Sequence, residues 1–107
     1  MVVKRFEVWL INLDPTIGSE IKKRRPCLII SPEASNKYLD TVIAAPMTST
    51  IKNYPTRIAC IFQKVKGEIA LDQLRTVDKK RLIKKMGHMD ATLNMSVCEL
   101  LQELFEY

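Results

Sequence analysis

Histidine is almost absent from this chain, and cysteine and glycine number only three each. The single histidine, His88, stands far from Cys27, Cys60 and Cys98, which are themselves widely separated. No zinc spacing arises from such a set, and no cluster of His, Cys or carboxylates has metal-ligand spacing, so neither a metal nor a cofactor is expected. The odd, scattered cysteines suit reduced core thiols in a reducing compartment rather than a disulfide framework. Long apolar runs are missing too; none approaches the roughly 20 residues a membrane helix needs. The two early cations, Lys4 and Arg5, lead into a segment holding Glu7, Asn12 and Asp14, not the apolar centre of a signal peptide. A cytoplasmic chain with no membrane association is the expectation.

What is present fits one domain over residues 1–107, large enough to build a modest core without staples. The net charge of +5 is unevenly spread: residues 41–87 hold ten cations and three anions, whereas residues 88–107 hold no Lys or Arg and four anions. The basic middle would attract phosphate backbones, and the acidic tail makes the molecule dipolar.

Phe6 to Leu13 alternates as a strand, with Phe6, Val8 and Leu10 to one side and Glu7, Trp9, Ile11 and Leu13 to the other. Cys27 to Ile30 reads as a buried strand. Between them lies a loop with a carboxylate, a glycine and four consecutive cations, Lys22 to Arg25, closed by Pro26, which forces Arg25 into an extended backbone. Such a loop fits the handling of an anion. Ser31-Pro32-Glu33 predicts a short helix capped by Ser31 and running to Tyr38. Thr41 to Ala45 reads as a strand ended by Pro46, followed by a polar loop from Ser49 to Pro55. Arg57 to Phe62 and Glu68 to Leu71 continue the strand pattern around a turn at Lys66-Gly67. Asp78 to Lys84 predicts a capped helix stopped by Gly87, with Lys79, Lys80, Arg81, Lys84 and Lys85 on a solvated face. Leu93, Val97, Leu100, Leu101 and Leu104 mark one face of a terminal amphipathic helix, with Asp90 as its cap. Five or more short strands with a terminal helix predict a mainly β, compact barrel with short peripheral helices.

Four fragments carry a family resemblance: Gly18-Ser19-Glu20, Arg25-Pro26 opening an apolar strand, Pro46-Met47-Thr48-Ser49, and Leu71 to Asp78 with Arg81-Leu82. In that order, from Phe6 to about Leu82, they resemble the MazF/PemK/Kid toxins. The resemblance implies an SH3-like barrel of the CcdB/MazF type. It also implies a metal-independent, sequence-selective endoribonuclease acting on single-stranded RNA, which is a homodimer inhibited by a MazE-like antitoxin.

Under that resemblance the catalytic candidates are Glu20, Arg25 and Thr48. RNA cleavage without a metal uses the 2′-hydroxyl as nucleophile, and negative charge builds on the phosphate oxygens. Arg25 offers a permanently charged fork for it, Thr48 a hydroxyl donor, and Glu20 a carboxylate that can accept the 2′-hydroxyl proton. Asp72 is a rival base, and the residues leave that choice open. Ile17, Ser19, Ser49, Asp72 and Gln73 are candidate RNA contacts, while Lys23, with Lys22 and Arg24, suits nonspecific phosphate attraction. Relatives that place histidine at Ser19 and arginine at Ala70 use a pair this chain lacks. Two rival readings share the barrel: a CcdB-like gyrase-binding toxin and a noncatalytic SH3-like interaction module.

Overall fold

Alternation along the first two strands sends neighbouring side chains to opposite sides of one sheet, and both sides are buried. The computed structural model describes residues 1–107, with β1 at Glu7–Asn12, β2 at Arg24–Ile29, α1 at Glu33–Tyr38 and β3 at Thr41–Thr48. There follow β4 at Arg57–Phe62, β5 at Val65–Ala70, β6 at Arg75–Asp78, β7 at Leu82–His88 and α2 at Ala91–Leu104. Trp9 and Ile11 of β1 join Cys27 and Ile29 of β2 in one core cluster, with Val42, Ala44 and Val77. Val8 and Leu28 point the other way, into a cluster with Met47, Cys60, Ile69 and Leu71. α2 covers this second cluster through Val97, Leu93, Leu100 and Leu101, and its cap is the expected one, Asp90 accepting from the Leu93 N–H. No helix is long and apolar enough to cross a membrane.

All strand pairs are antiparallel, in the order β4-β5-β3-β2-β1-β7, with β6 also on β3. The expected barrel is thus present in outline, as a barrel-like sheet that does not close.

Several local expectations need correction. Pro46 does not end its strand; β3 runs on to Thr48. One edge of β3 pairs with β6 as far as Ala44 and with β5 from Met47, so Pro46 falls where the partner changes and a missing N–H costs nothing there. Ser31 is not the cap of α1: Pro32 holds that position, and the Ser31 hydroxyl is buried against Asn36 and the Ile43 N–H. The β4–β5 turn lies at Gln63-Lys64, both left-handed, while Lys66 and Gly67 are inside β5. The helix expected after Asp78 is a single 3-10 turn, Lys79–Arg81, which Asp78 does cap; Leu82 to His88 then pair with the free edge of β1. The basic residues there form no helix face. Lys79 reaches the Asn36 carbonyl, Arg81 the Asn12 carbonyl and Lys85 the Glu7 carboxylate.

Glu7 is a nearly buried carboxylate between β1 and β7. Burial pushes its pKa up, but hydrogen bonds from Lys85, the Lys4 N–H and the Trp9 indole outweigh burial and leave it below the usual range. A depressed carboxylate stabilises the fold fully above its unfolded pKa, and that contribution is lost as pH falls through the folded value. Glu7→Gln should therefore lower the melting temperature at pH 7, and its melting curve should converge with the wild type below about pH 4. A constant gap across that range would show that the charge is immaterial.

β5 passes so close to the end of β3 that a Cβ on Gly67 would lie 2.5 Å from the Thr48 carbonyl oxygen. Since the obstructing atom is backbone, Gly67→Ala should destabilise by about 1–3 kcal/mol. A melting temperature equal to wild type would count against the contact.

Candidate functional site

The β1–β2 loop is tied down before it carries any chemistry. Its base is closed by the Leu13 N–H on the Lys23 carbonyl (2.9 Å), and Asp14 accepts from the Lys23 N–H (3.1 Å). Arg75 donates to the Leu13 carbonyl and Arg81 to those of Asn12 and Asp14. At the tip, Gly18 takes the left-handed conformation of a tight turn. There the Glu20 carboxylate accepts the Ile17 N–H at 2.6 Å. On either side of Glu20 the backbone is held by one side chain from the 3-10 turn Leu71–Gln73 between β5 and β6: Gln73 accepts the Ile21 N–H (2.6 Å) and donates to the Ser19 carbonyl (3.3 Å).

Arg25 leaves that loop as the second residue of β2, opposite Ile11. Its Nε donates to the Lys22 carbonyl (3.2 Å), and no carboxylate pairs with it, Glu20 included. The end of its guanidinium is thus left to an anion. Thr48 ends β3, with its oxygen accepting the Thr50 N–H (3.2 Å) and its hydroxyl hydrogen left to donate. Glu20, Arg25 and Thr48 line one cleft of about 260 Å³, together with Ser19, Gln73, Lys22, Lys52 and Arg57.

Ile17 and Asp72 belong to an adjoining hollow that shares Ser19, Glu20 and Gln73. Ile17 is 83% exposed at the loop tip. Ser49 lies on the far side of Thr48, in an apolar pocket. Lys23 is not brought to any of these clefts; its left-handed backbone serves the loop base, and Lys22 lines the cleft in its place. His88 ends β7, paired with Glu7 away from the clefts.

Asp72 is not a free carboxylate. Burial raises its pKa, but the Arg57 fork (2.7 and 3.2 Å), its own backbone and Thr56 bring it net below the usual range. In return the hydrogen bond to Asp72 lifts the Arg57 pKa further, against burial. Arg57 also stands 3.7 Å from the buried Glu68, whose oxygens accept the Lys52 and Asn53 N–H groups. Neither Arg57 nor Lys52 is marked by a motif. Lys52 sits in the loop read only as polar, and Arg57 reaches the site by strand register, opposite Ala70 and two residues from Asp72. The buried thiols take no part: burial drives Cys27 up to about 12, with Arg75 and Arg25 pulling the other way, and Cys60 upward as well. No three His, Cys, Asp or Glu side chains gather as metal ligands.

Comparison with known proteins bears on the family and the fold. The chain is 36% identical over 108 residues to Endoribonuclease EndoA of Bacillus subtilis (strain 168), covering 95% of this chain and 93% of that protein. Its fold superposes on MazF from Deinococcus radiodurans with a TM-score of 0.88 at 28% identity, covering 100% of this chain and 99% of the other. A MazE–MazF structure from the same organism gives a TM-score of 0.79 at 28% identity, covering 97% and 96% of the two chains. Residues 4–105 match the family described as PemK-like, MazF-like toxin of type II toxin-antitoxin system, and the chain belongs to that family.

Proposed function

We propose that this toxin is an endoribonuclease that cuts single-stranded RNA by attack of a 2′-hydroxyl on the adjacent phosphate. The observation that carries the reading is the convergence of an arginine without a carboxylate partner, a strand-end hydroxyl and a loop carboxylate in one basic cleft. Arg25 and Thr48 hold the non-bridging oxygens, where charge grows in the transition state. Glu20 takes the 2′-hydroxyl proton after giving up the Ile17 N–H. The 2′-O–P bond forms, the P–O5′ bond breaks, and the leaving oxygen takes a proton from solvent, giving a 2′,3′-cyclic phosphate and a 5′-hydroxyl. Glu20 is the better base because both oxygens of Asp72 are engaged by Arg57. A gyrase-binding toxin or a noncatalytic module would have no use for an unpaired arginine in this setting.

Residues 1–107 act as one cytoplasmic toxin domain, a homodimer in this reading, paired with a MazE-like antitoxin. Exposed Ile61 of β4, with Met95 and Phe105 on or beside α2, supplies apolar surface for a second copy. The basic middle of the chain suits an acidic antitoxin segment that competes with RNA, so inhibition should weaken as salt rises.

Arg25→Ala and Thr48→Ala should each lower cleavage of a long transcript by about 100-fold or more with the melting temperature retained. Near-wild-type turnover by either would remove it from the mechanism. If Glu20 is the base, Glu20→Gln should abolish the acidic limb of the pH–rate profile and Asp72→Asn should leave it in place; the reverse pattern would transfer the role to Asp72. Cleavage should persist in EDTA, and its loss there with recovery on adding magnesium would refute the 2′-hydroxyl scheme as drawn.

A further inference from the structure

On the other side of Arg25 and Thr48 lies a second pocket of about 270 Å³, walled by Met47, Cys60, Phe62 and Met86. It shares only Arg25 and Thr48 with the cleft that holds Glu20, so these two residues form a ridge between the two spaces. The pocket is built, not incidental. The Gln63 amide at the tip of the β4–β5 hairpin donates to the Met86 carbonyl (3.1 Å), bracing the hairpin against β7. Its volume lies just under the roughly 300 Å³ at which pockets for drug-sized ligands begin, which suits one flat ring system. An aromatic wall with polarizable methionines is a surface on which a base stacks.

We propose that this pocket takes the nucleobase immediately 3′ of the cleaved bond. The inference rests on the reading that Glu20, Arg25 and Thr48 cut RNA. In-line displacement puts the attacking and leaving oxygens on opposite sides of phosphorus. The 2′-hydroxyl must face Glu20, so the nucleotide that carries it lies on the Glu20 side of the ridge. The 5′-oxygen then leaves toward the apolar side, and its nucleotide delivers its base to Phe62, Met47 and Met86. The strand polarity of bound RNA is thereby fixed by the two spaces and the ridge between them.

The test uses a short RNA built around one cleavage site mapped on a longer transcript, with a 2′-deoxy sugar 5′ of the scissile bond so that it binds uncut. Replacing the base immediately 3′ of the bond by an abasic residue should weaken binding to the wild type about 10-fold. Phe62→Ala should weaken intact RNA similarly and lose its sensitivity to that base; Phe62→Leu serves if the alanine variant fails to melt cooperatively. A fluorescent base analogue at the same position should be quenched on binding the wild type, a measurement that needs no variant. Equal abasic penalties in wild type and variants would overturn the assignment. So would a larger penalty for the base 5′ of the bond, which reverses the polarity. Loss of binding to a second copy or to an antitoxin peptide in Phe62→Ala, with RNA binding unchanged, would make the pocket a protein contact and overturn it too. Wild-type protein that cuts no RNA would sink the functional reading and this inference together, whereas cleavage without coupling would sink the inference alone.

Discussion

The backbone of β5 can lie against the end of β3 only because residue 67 has no side chain. That contact decides where Thr48 points, since Thr48 and Glu68 are paired in the same ladder. It also decides where the β4–β5 hairpin stands, and this hairpin brings Arg57 to one side of Thr48 and Phe62 to the other. A strand displaced outward by one methyl group would move the Thr48 hydroxyl, the buried Glu68 carboxylate and the apolar pocket together. Arg25, Thr48 and Arg57 are therefore held by the sheet, whereas Glu20 with its neighbours and Lys52 depend on loops.

The arginines divide the electrostatic labour by what they are allowed to touch. Arg75 and Arg81 are spent on backbone carbonyls at the base of the β1–β2 loop, and Arg57 is spent on Asp72. Arg25 alone among these four reaches the cleft with no side-chain acceptor of its own. Since guanidinium groups stay charged at any relevant pH, what separates an arginine committed to the fold from one open to an anion here is the acceptor beside it.

Much of this was legible in the residues. The alternation of β1, the bounds of β4 and the apolar stripe and cap of α2 are local signals, and they hold. The failures share a cause. After Asp78 the chain does begin a helical turn, yet the open edge of β1 offers a ladder and the following residues take it. Pro46 reads as a stop because sequence does not reveal that the neighbour on that edge of β3 changes there. The hairpin turns before Lys66-Gly67 because Gln63 and Lys64 adopt left-handed backbone without being glycine or asparagine. Short motifs single out Glu20, Arg25 and Thr48, which the fold brings to one cleft, whereas Arg57 arrives there by β4–β5 register and the grip of Gln73 on the loop joins segments distant in sequence.

That grip bears on how such a toxin can change. The loop is closed at its root by backbone and two arginines, and clasped at its middle by Gln73, so little strain passes from the tip into the sheet. Ile17, outside both fastenings and exposed, can be exchanged with little penalty to folding, whereas the left-handed backbone at Gly18 holds that position to glycine. A change of side chain at position 17 is then decoupled from the stability of the sheet, so the face of the loop tip can vary on a scaffold that need not be rebuilt.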